Sequence, residues 1–233
     1  MRILALDTAT ESCSAAALID GRLTARERLL ERGHAEVILT MIDEVLGEAH
    51  LELADLAAVA FGRGPGSFTG VRLAASIAQG LAYGAGVPVV AVSDLQAVAQ
   101  RALRQDASVL RVLVCNDARM REVYWGCFAR SAAGLALPVG AERVGAPATV
   151  ALPGEWPRGA GSCGAGSGFA AYPQLRESLA HALAAFLDTR PRAEEIALLA
   201  AAEAAAGRVL DPEQALPVYL RDEVVQSPPR TSN

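Results

Sequence analysis

The residues with the clearest chemical potential form one glycine-dense segment, Phe61-Gly62-Arg63-Gly64-Pro65-Gly66-Ser67-Phe68-Thr69-Gly70-Val71-Arg72. The segment lies between an apolar run and a long helical pattern, so it predicts a strand-to-helix turn. Backbone N–H groups at a helix start bind anions, and Arg63 or Arg72 could reach the same charge. The segment is therefore either an anion-binding loop or a tight connection in which glycine allows close backbone packing.

Two well-characterised phosphate-binding patterns fit this segment poorly. The P-loop requires Lys-Ser or Lys-Thr after its last glycine, and this sequence contains no lysine. The dinucleotide-binding fingerprint requires an acidic residue about twenty positions further on, at the end of a second parallel strand, and none stands there. The tight connection is the favoured interpretation, and anion binding stays open.

Histidine and cysteine offer no recognisable site. The cysteines lack C-x-x-C spacing and the three histidines are scattered, so neither a zinc site nor a disulfide framework is indicated. A peptidase would need a nucleophile-base pair or a metal, and these residues provide neither at a recognisable spacing. The residues concerned are Cys13, Cys115, Cys127, Cys163, His34, His50 and His181.

The composition indicates a globular protein with enough apolar residues for a core. The 233 residues carry a net charge of -5, which argues against autonomous nucleic-acid binding because such domains are usually basic. The apolar N-terminal stretch is too short for a signal peptide, and no run is long enough to span a membrane without Gly, Pro or charge. We therefore expect a reduced, cytoplasmic protein without a membrane segment.

The first hundred residues predict one α/β lobe. Strands are expected at 2–7, 13–19 and 23–30, then a helix at 34–49 and a buried strand at 57–61. The apolar face of that helix comprises Val37, Ile38, Met41, Ile42, Val45 and Leu46. Such a face must be covered, and these six residues are predicted to contribute to an interface with a partner subunit.

The second helix, at about 69–83, carries small residues at every fourth position. Ser76, Gly80 and Gly84 form this column beside Leu73 and Ile77. A column of small side chains lets another helix approach closely. Packing within the chain and a subunit interface are both open. A buried strand at 87–92 follows, and Ser93 or Asp94 is expected to cap a helix that runs to about Arg104.

A second lobe begins after a polar break near residue 106. Strands are predicted at 110–117 and 122–128, and residues 131–162 are expected to be a loop with short strands. Residues 164–169 form a second glycine-dense turn, and a helix is predicted at 193–206. The strand-to-Asp hairpin that opens each half indicates a duplicated fold. The predicted domains are 1–105 and 106–233, the second with a polar C-terminal tail.

The opening strand ends in Asp7-Thr8-Ala9-Thr10, the arrangement that begins an actin-like ATPase lobe. In such a lobe the acidic residue holds metal and phosphate, and the hydroxyls line the turn between the first two strands. The alternative is that Asp7 only caps a turn. This pattern predicts an α/β fold of two actin-like lobes, related to ribonuclease H, in which each lobe is a mixed β-sheet flanked by helices.

Four segments together carry a family resemblance: Leu6-Asp7-Thr8-Ala9-Thr10, Gly33-His34-Ala35-Glu36, the glycine-dense segment, and Pro217-Val218-Tyr219-Leu220-Arg221-Asp222. They resemble the TsaB family, also called YeaZ, of bacterial threonylcarbamoyladenosine biosynthesis proteins in the actin-like ATPase superfamily. The resemblance covers about residues 1–222, although 130–160 matches only in outline. The G-P-G-S-F-T-G-x-R run is its most specific part.

The resemblance implies a partner protein rather than an enzyme. Proteins of this family resemble the catalytic subunit TsaD, form a heterodimer with it through the helices equivalent to 34–49 and 69–84, and allow the ATPase TsaE to join. In isolation a homodimer is expected. The complex modifies the adenosine beside the anticodon in tRNAs that read codons beginning with A, so tRNA would be met only through the complex.

Departures from the catalytic pattern support this implication. Ser93-Asp94-Leu95-Gln96-Ala97-Val98 stands where TsaD has its metal-binding His-x-x-x-His, and Gly164-Ala165-Gly166-Ser167-Gly168 lacks the acid of the second phosphate motif. No metal and no cofactor are expected. The alternative left open is weak binding of an adenine nucleotide at the interface with TsaD, through a degenerate site at Asp7, Thr8, Arg63 and Arg72. The competing hypothesis is an active phosphotransferase or ATPase that uses Asp7, or a glycoprotease-like peptidase.

Overall fold

The first sheet contains five strands whose apolar residues are largely buried. A computed structural model describes residues 1–156 and 159–221. The strands are β1 (Arg2–Asp7), β2 (Ser12–Ile19), β3 (Arg22–Leu29), β4 (Ala58–Gly62) and β5 (Val89–Val92), in the spatial order β3-β2-β1-β4-β5. The pairs β1–β2 and β2–β3 are antiparallel, whereas β1–β4 and β4–β5 are parallel.

The second sheet repeats the central part of this plan. Its strands are β6 (Arg111–Asp117), β7 (Val123–Arg130), β8 (Ala136–Pro138), β9 (Arg143–Gly145), β10 (Gly159–Ala165) and β11 (Leu183–Leu187). β6 pairs antiparallel with β7 and parallel with β10, and β10 pairs parallel with β11. The prediction of two mixed sheets in an actin-like fold is confirmed. The region 164–169 is only partly a turn, because Gly164 and Ala165 complete β10.

Six helices flank the sheets in the described residues. They are α1 (His34–Glu48), α2 (Phe68–Ala85), α3 (Asp94–Gln105), α4 (Gly168–Ala171), α5 (Pro173–Leu179) and α6 (Ala193–Ala205). The Ser67 side chain caps α2 and the Ser93 side chain caps α3. Each serine hydroxyl accepts a hydrogen bond from the backbone N–H three residues further along the chain. No helix of the described residues is long and apolar enough to cross a membrane.

The apolar face of α1 lies inside its own lobe. The side chains of Ile38, Met41, Ile42, Val45 and Leu46 are all buried in one cluster with the first sheet and with α2. Only Val37 of the six stripe residues is partly exposed. The sheet therefore covers this stripe. Its five buried residues are core residues, so the prediction that they form a partner interface is wrong, and the face of α1 that stays exposed is the opposite one.

Two helices cross between the lobes. α6 packs its Ala193, Ile196 and Ala200 against the first sheet, although it follows the second sheet in the chain. α3 in turn packs its Leu95, Val98 and Leu103 against the second sheet. A boundary at residue 105 thus separates the two sheets. It does not separate the two hydrophobic cores, because each core includes a helix from the other side of that boundary.

A buried carboxylate joins these crossing helices. Glu195 of α6 is fully buried, and its Oε1 lies 2.7 Å from Arg104 Nη1 and 2.8 Å from Arg192 Nη2. Arg104 stands in the last turn of α3, so the ion pair connects α3 to α6. A buried charge is tolerated only when it is paired in this way, which makes the packing of the two helices specific.

We predict that Ile196→Ala lowers the free energy of unfolding by about 2–5 kcal/mol, because it leaves a cavity between α6 and the first sheet. Urea denaturation followed by circular dichroism measures this. Leu216→Ala is the control: that side chain is 65% exposed, so the change should stay within about 0.5 kcal/mol. Equal stabilities of the two variants would contradict the assignment of α6 to the first core.

Candidate functional site

The predicted phosphate-side loop, Asp7 to Thr10, is closed by the chain itself. Asp7 at the end of β1 is fully buried, and its Oδ1 accepts the N–H of Ala9 at 2.9 Å. Thr8 is also buried, and its hydroxyl donates to the carbonyl oxygen of Gly70 at 2.7 Å. Both side chains are thus used within the lobe and neither faces solvent.

The glycine-dense turn lies directly against this loop. The N–H of Ser67 donates to the carbonyl oxygen of Ala9 at 2.7 Å. A Cβ atom on Gly66 would stand 2.6 Å from that same oxygen, and one on Gly70 would overlap the carbonyl of Thr8. These two glycines are required because backbone meets backbone. The tight-connection interpretation accounts for them, since the turn packs directly on the backbone of Thr8 and Ala9.

A second buried carboxyl group, that of Asp94, faces Asp7. The sequence predicted this residue only as a possible helix cap. Asp94 opens α3 and is fully buried, and its Oδ2 accepts the N–H of Gly64. Gly62 lies between the two acids, because a Cβ there would overlap Asp94 and stand 2.6 Å from Asp7 Oδ1. Asp7 Oδ2 and Asp94 Oδ1 have no hydrogen-bond partner among the described residues.

The pKa values of the two carboxyl groups are both raised. Burial raises the pKa of Asp7 to about 6, against which the N–H of Ala9 acts. Burial also raises the pKa of Asp94 well above its usual value, and the neighbouring charge of Asp7 raises it further. Burial and the mutual repulsion of the two acids therefore favour the neutral form of Asp94 beside Asp7.

The two predicted anion-binding arginines point elsewhere. Arg63 Nη2 lies 3.1 Å from Glu142 Oε2 of the second lobe, and the Ser93 hydroxyl donates to the same carboxylate. Arg72 is exposed, with its guanidinium 3.3 Å from the ring centroid of Phe68 and 5.1 Å from that of Tyr219. The four residues predicted to hold a nucleotide, Asp7, Thr8, Arg63 and Arg72, thus do not converge on one space.

The C-terminal segment crosses the outside of the glycine-dense turn. The N–H of Val218 donates to the carbonyl oxygen of Arg63 at 2.7 Å. Three residues on, Arg221 pairs with Glu122 and donates to the carbonyl oxygen of Ala118 in the second lobe. Residues 218–221 therefore strap one lobe to the other. Asp222 and the predicted polar tail lie outside the described residues.

The second glycine-dense turn has the same structural basis as the first. Cβ atoms on Gly166 and Gly168 would collide with the backbone of Cys115. The hydroxyl of Ser167 accepts the N–H of Asp117 at 3.1 Å, and Tyr172 donates to Asp117 Oδ1 at 2.9 Å. This turn packs on the hairpin between β6 and β7, as the first packs on the loop after β1.

The cysteines and possible metal ligands show no reactive arrangement. All four cysteines are buried, and burial raises the pKa of the thiols, for Cys13 to about 11 and for Cys163 to about 12. No three His, Cys, Asp or Glu side chains of residues 1–156 and 159–221 are grouped as a metal site. The Nε2 of His34 is within 2.8 Å of the Thr10 carbonyl oxygen.

The small-residue column of α2 lies on the surface. Ser76, Gly80 and Gly84 are exposed, and Leu73 and Ile77 are partly exposed. A Cβ atom on Gly80 or Gly84 would have no neighbour within 4 Å. Packing within the described chain therefore does not require these glycines. No described residue of this lobe covers the column, so packing within the lobe does not account for it.

Comparison with known proteins places the chain in a class. A family model described as TsaD, tRNA N6-adenosine threonylcarbamoyltransferase, matches residues 28–227. A crystal structure from Pseudomonas aeruginosa, described as an uncharacterised protein with similarity to the peptidase YeaZ, superposes with a TM-score of 0.87 at 43% identity over 94% of this chain and 99% of that one. The fold and the family model define a TsaD-like protein of the actin-like ATPase class.

Closer relatives narrow the class to one family. TsaB of Escherichia coli (strain K12), a tRNA threonylcarbamoyladenosine biosynthesis protein, is 42% identical over 229 residues, 96% of each chain. TsaB of Haemophilus influenzae is 52% identical over 127 residues, 54% of this chain and 52% of that one. YeaZ from Pseudomonas aeruginosa superposes with a TM-score of 0.81 at 40% identity, over 94% of this chain and 99% of that one. The chain belongs to the TsaB family.

We predict that the free energy of unfolding falls as pH rises from about 4 to about 6. In this window the unfolded Asp7 has lost its proton, whereas the folded pKa of about 6 keeps it bound. Asp94→Asn removes the second acid with a raised pKa and keeps a donor beside Asp7, so it should make this dependence less steep and stabilise the fold at pH 7 by about 1–3 kcal/mol. Denaturant titrations at several pH values measure both effects.

The control for this prediction is Asp188→Asn, which changes a largely exposed acid in the same way. It should leave the pH dependence as in the unmodified chain. A pH dependence that survives unchanged in Asp94→Asn would show that the pKa of Asp94 is not raised in the folded chain.

Proposed function

We propose that the chain is a non-catalytic partner subunit that binds TsaD and supports threonylcarbamoylation of the adenosine beside the anticodon in tRNAs that read codons beginning with A. By the same proposal it acts in the cytoplasm, allows TsaE to join the complex and self-associates when TsaD is absent. The support is membership of a family whose relatives are named for threonylcarbamoyladenosine biosynthesis. Contacts with tRNA are made through the complex, in keeping with the net charge of -5.

One observation carries the non-catalytic part of the proposal. The turn at Gly66 and Gly70 fills the space beside Thr8 and Ala9, and the acid that would hold metal and phosphate is buried with Asp94. Transition-state stabilisation requires charged or polar groups that face the reacting atoms. Here Asp7 and Thr8 face the protein interior instead, so the groups that resemble an ATPase site act as structural groups.

The peptidase alternative has less support. A relative is described as similar to the peptidase YeaZ, but the cysteine thiols of this chain are buried with raised pKa values. A nucleophile is activated by an adjacent base and must reach its substrate. His34 is engaged with the carbonyl oxygen of Thr10, and the described residues place no nucleophile beside it.

The partner surface that fits best is the outer face of α1 and α2. On α2 it presents the exposed Ser76, Gly80 and Gly84, which allow a helix to approach closely. Leu39 of α1 is 52% exposed and adds apolar area. The buried stripe of α1, from Ile38 to Leu46, supports this face from below and does not itself contact the partner.

We predict that Gly80→Leu abolishes co-purification with TsaD, because a large side chain would hold the two helices apart. The isolated fold should persist, since the position opens to solvent. The matched control is Gly154→Leu, at an exposed loop glycine that also has no neighbour within 4 Å, and it should leave the complex intact. Pull-down with co-expressed TsaD and tRNA modification measured in the same cells report the result. A normal complex with Gly80→Leu would contradict the proposal that this face of α2 binds TsaD.

We also predict that the isolated chain shows no tight, magnesium-dependent binding of ATP in calorimetry. The physical reason is the burial of Asp7 and Thr8. Magnesium-dependent binding with turnover that is lost in Asp7→Ala would instead establish an active ATPase. Circular dichroism of Asp7→Ala must accompany this test, because the residue also supports the fold.

A further inference from the structure

Glu142 of the second lobe reaches across to the glycine-dense turn of the first. Its Cγ would lie 3.5 Å from a Cβ atom on Gly126, so the side chain passes closely over strand β7. Its Oε2 is 3.1 Å from Arg63 Nη2, and its Oε1 accepts a hydrogen bond from the hydroxyl of Ser93. Each oxygen of this carboxylate therefore has a donor from beyond the boundary at residue 105.

The Arg63–Glu142 ion pair is partly shielded from solvent. The Glu142 side chain is 13% exposed and the Arg63 side chain is 25% exposed. A second ion pair between the lobes joins Glu11 to Arg190, whose side chains are 44% and 29% exposed. Because water and salt screen exposed pairs more strongly, the contact at Arg63 holds the lobes more firmly than the contact at Arg190.

Helix α3 is fixed to the second sheet by polar as well as apolar contacts. Gln96 Nε2 donates to the carbonyl oxygen of Ala136 at 2.8 Å, and Gln100 Oε1 accepts the N–H of Ala136 at 2.7 Å. Ala136 begins β8, and the apolar side of α3 packs on the same sheet. The helix therefore moves with the second sheet when the lobes move relative to each other.

The second lobe is attached to the turn at two consecutive residues. Asp94, the first residue of α3, accepts the N–H of Gly64 and donates its own N–H to the carbonyl oxygen of Gly64 at 3.0 Å. One residue earlier in the turn, Arg63 pairs with Glu142. The attachment at Gly64 alone would leave a hinge about which the lobes rotate. The second attachment comes from another element, so it removes this rotation.

We propose that Glu142 is a positioning residue: its carboxylate is the anion that Arg63 binds, and this contact holds the two lobes in one orientation. A carboxylate with a separate donor at each oxygen is fixed in direction as well as in place. An amide at this position has only one oxygen, so it could accept only one of the two hydrogen bonds at full strength. The contact therefore depends on the charge and on both oxygens of Glu142.

The inference rests on the proposed function in one respect, which is its effect on TsaD. The carbonyl oxygen of Arg63 accepts the N–H of Val218, and the strap of residues 218–221 places the Tyr219 ring beside that of Phe68 at the start of α2. Helix α2 carries the face that is proposed to bind TsaD. Loss of the Glu142 contact at Arg63 should therefore loosen the support of that face.

The test is the distance between two spin labels, one on each lobe, measured by pulsed electron resonance. The labels are attached at Arg22→Cys in β3 and Glu177→Cys in α5, both at exposed positions, because the four native cysteines are buried. Glu142→Gln should raise the fraction of chains outside the main distance by about tenfold, since it removes a charge-assisted hydrogen bond. The control is Glu155→Gln at an exposed position of the same lobe, and it should leave the distances unchanged.

Arg63→Met tests the pairing from the other side. It keeps an apolar side chain and removes the charge, so it should broaden the distances as Glu142→Gln does. The double variant should be no broader than either single variant, because both single changes remove the same interaction. TsaD binding is measured with the same variants and should weaken by about tenfold in each. Circular dichroism checks that every variant is folded.

Two outcomes would overturn the inference. Unchanged distances in the single variants, or effects that add in the double variant, would show that Glu142 does not hold the lobes through Arg63. Broader distances with normal TsaD binding would show that the orientation of the lobes does not position the partner face. Gly80→Leu separates the inference from the proposed function, because it should prevent TsaD binding and leave the distances unchanged. If Gly80→Leu binds TsaD normally, the proposed partner face is wrong, and the distances still decide whether Glu142 holds the lobes.

Discussion

The contact on which the rest of the structure depends is that between the glycine-dense turn and the loop after β1. Gly66 and Gly70 bring the turn against the carbonyl oxygens of Ala9 and Thr8, so the start of α2 is fixed to the end of β1. On the inner side of the same turn, the Gly64 N–H donates to the Asp94 carboxylate. On its outer side, the Arg63 carbonyl oxygen accepts the N–H of Val218. One backbone contact therefore sets the positions of α2, of α3 and of the C-terminal strap.

This contact also lies beside the pair of buried acids, Asp7 and Asp94. Two adjacent buried carboxyl groups repel each other when both are charged, which is one reason why their pKa values are raised. A metal ion could offset this repulsion in an open site, but Gly62 and the surrounding backbone leave the pair enclosed. In this chain, Asp7 contributes to the fold by accepting the N–H of Ala9.

The sequence predicted the strands and helices of the first lobe well, because their periodicity is strong and their turns contain Gly, Ser or Asp. It did not predict α5 and β11, which are only seven and five residues long and so show no clear periodicity. The pairing of Asp94 with Asp7 was also missed, since only the parallel β1–β4–β5 order brings residues that far apart in the chain together. The available signal in the sequence was Gly62. A glycine at the end of an apolar strand indicates that another group lies close to the backbone there.

The interface residues show a different limit of sequence reasoning. An apolar stripe such as Ile38 to Leu46 indicates that a helix face is buried, but not by what, and here the sheet of the same lobe covers it. Small residues such as Gly80 are more informative, because an exposed glycine in a helix interior costs about 1 kcal/mol relative to alanine and no described neighbour requires it. Because the start of α2 is fixed against the loop after β1, the exposed column of small residues that follows has a defined place on the lobe. Under the proposed function, the glycine-dense turn therefore positions the surface that binds TsaD.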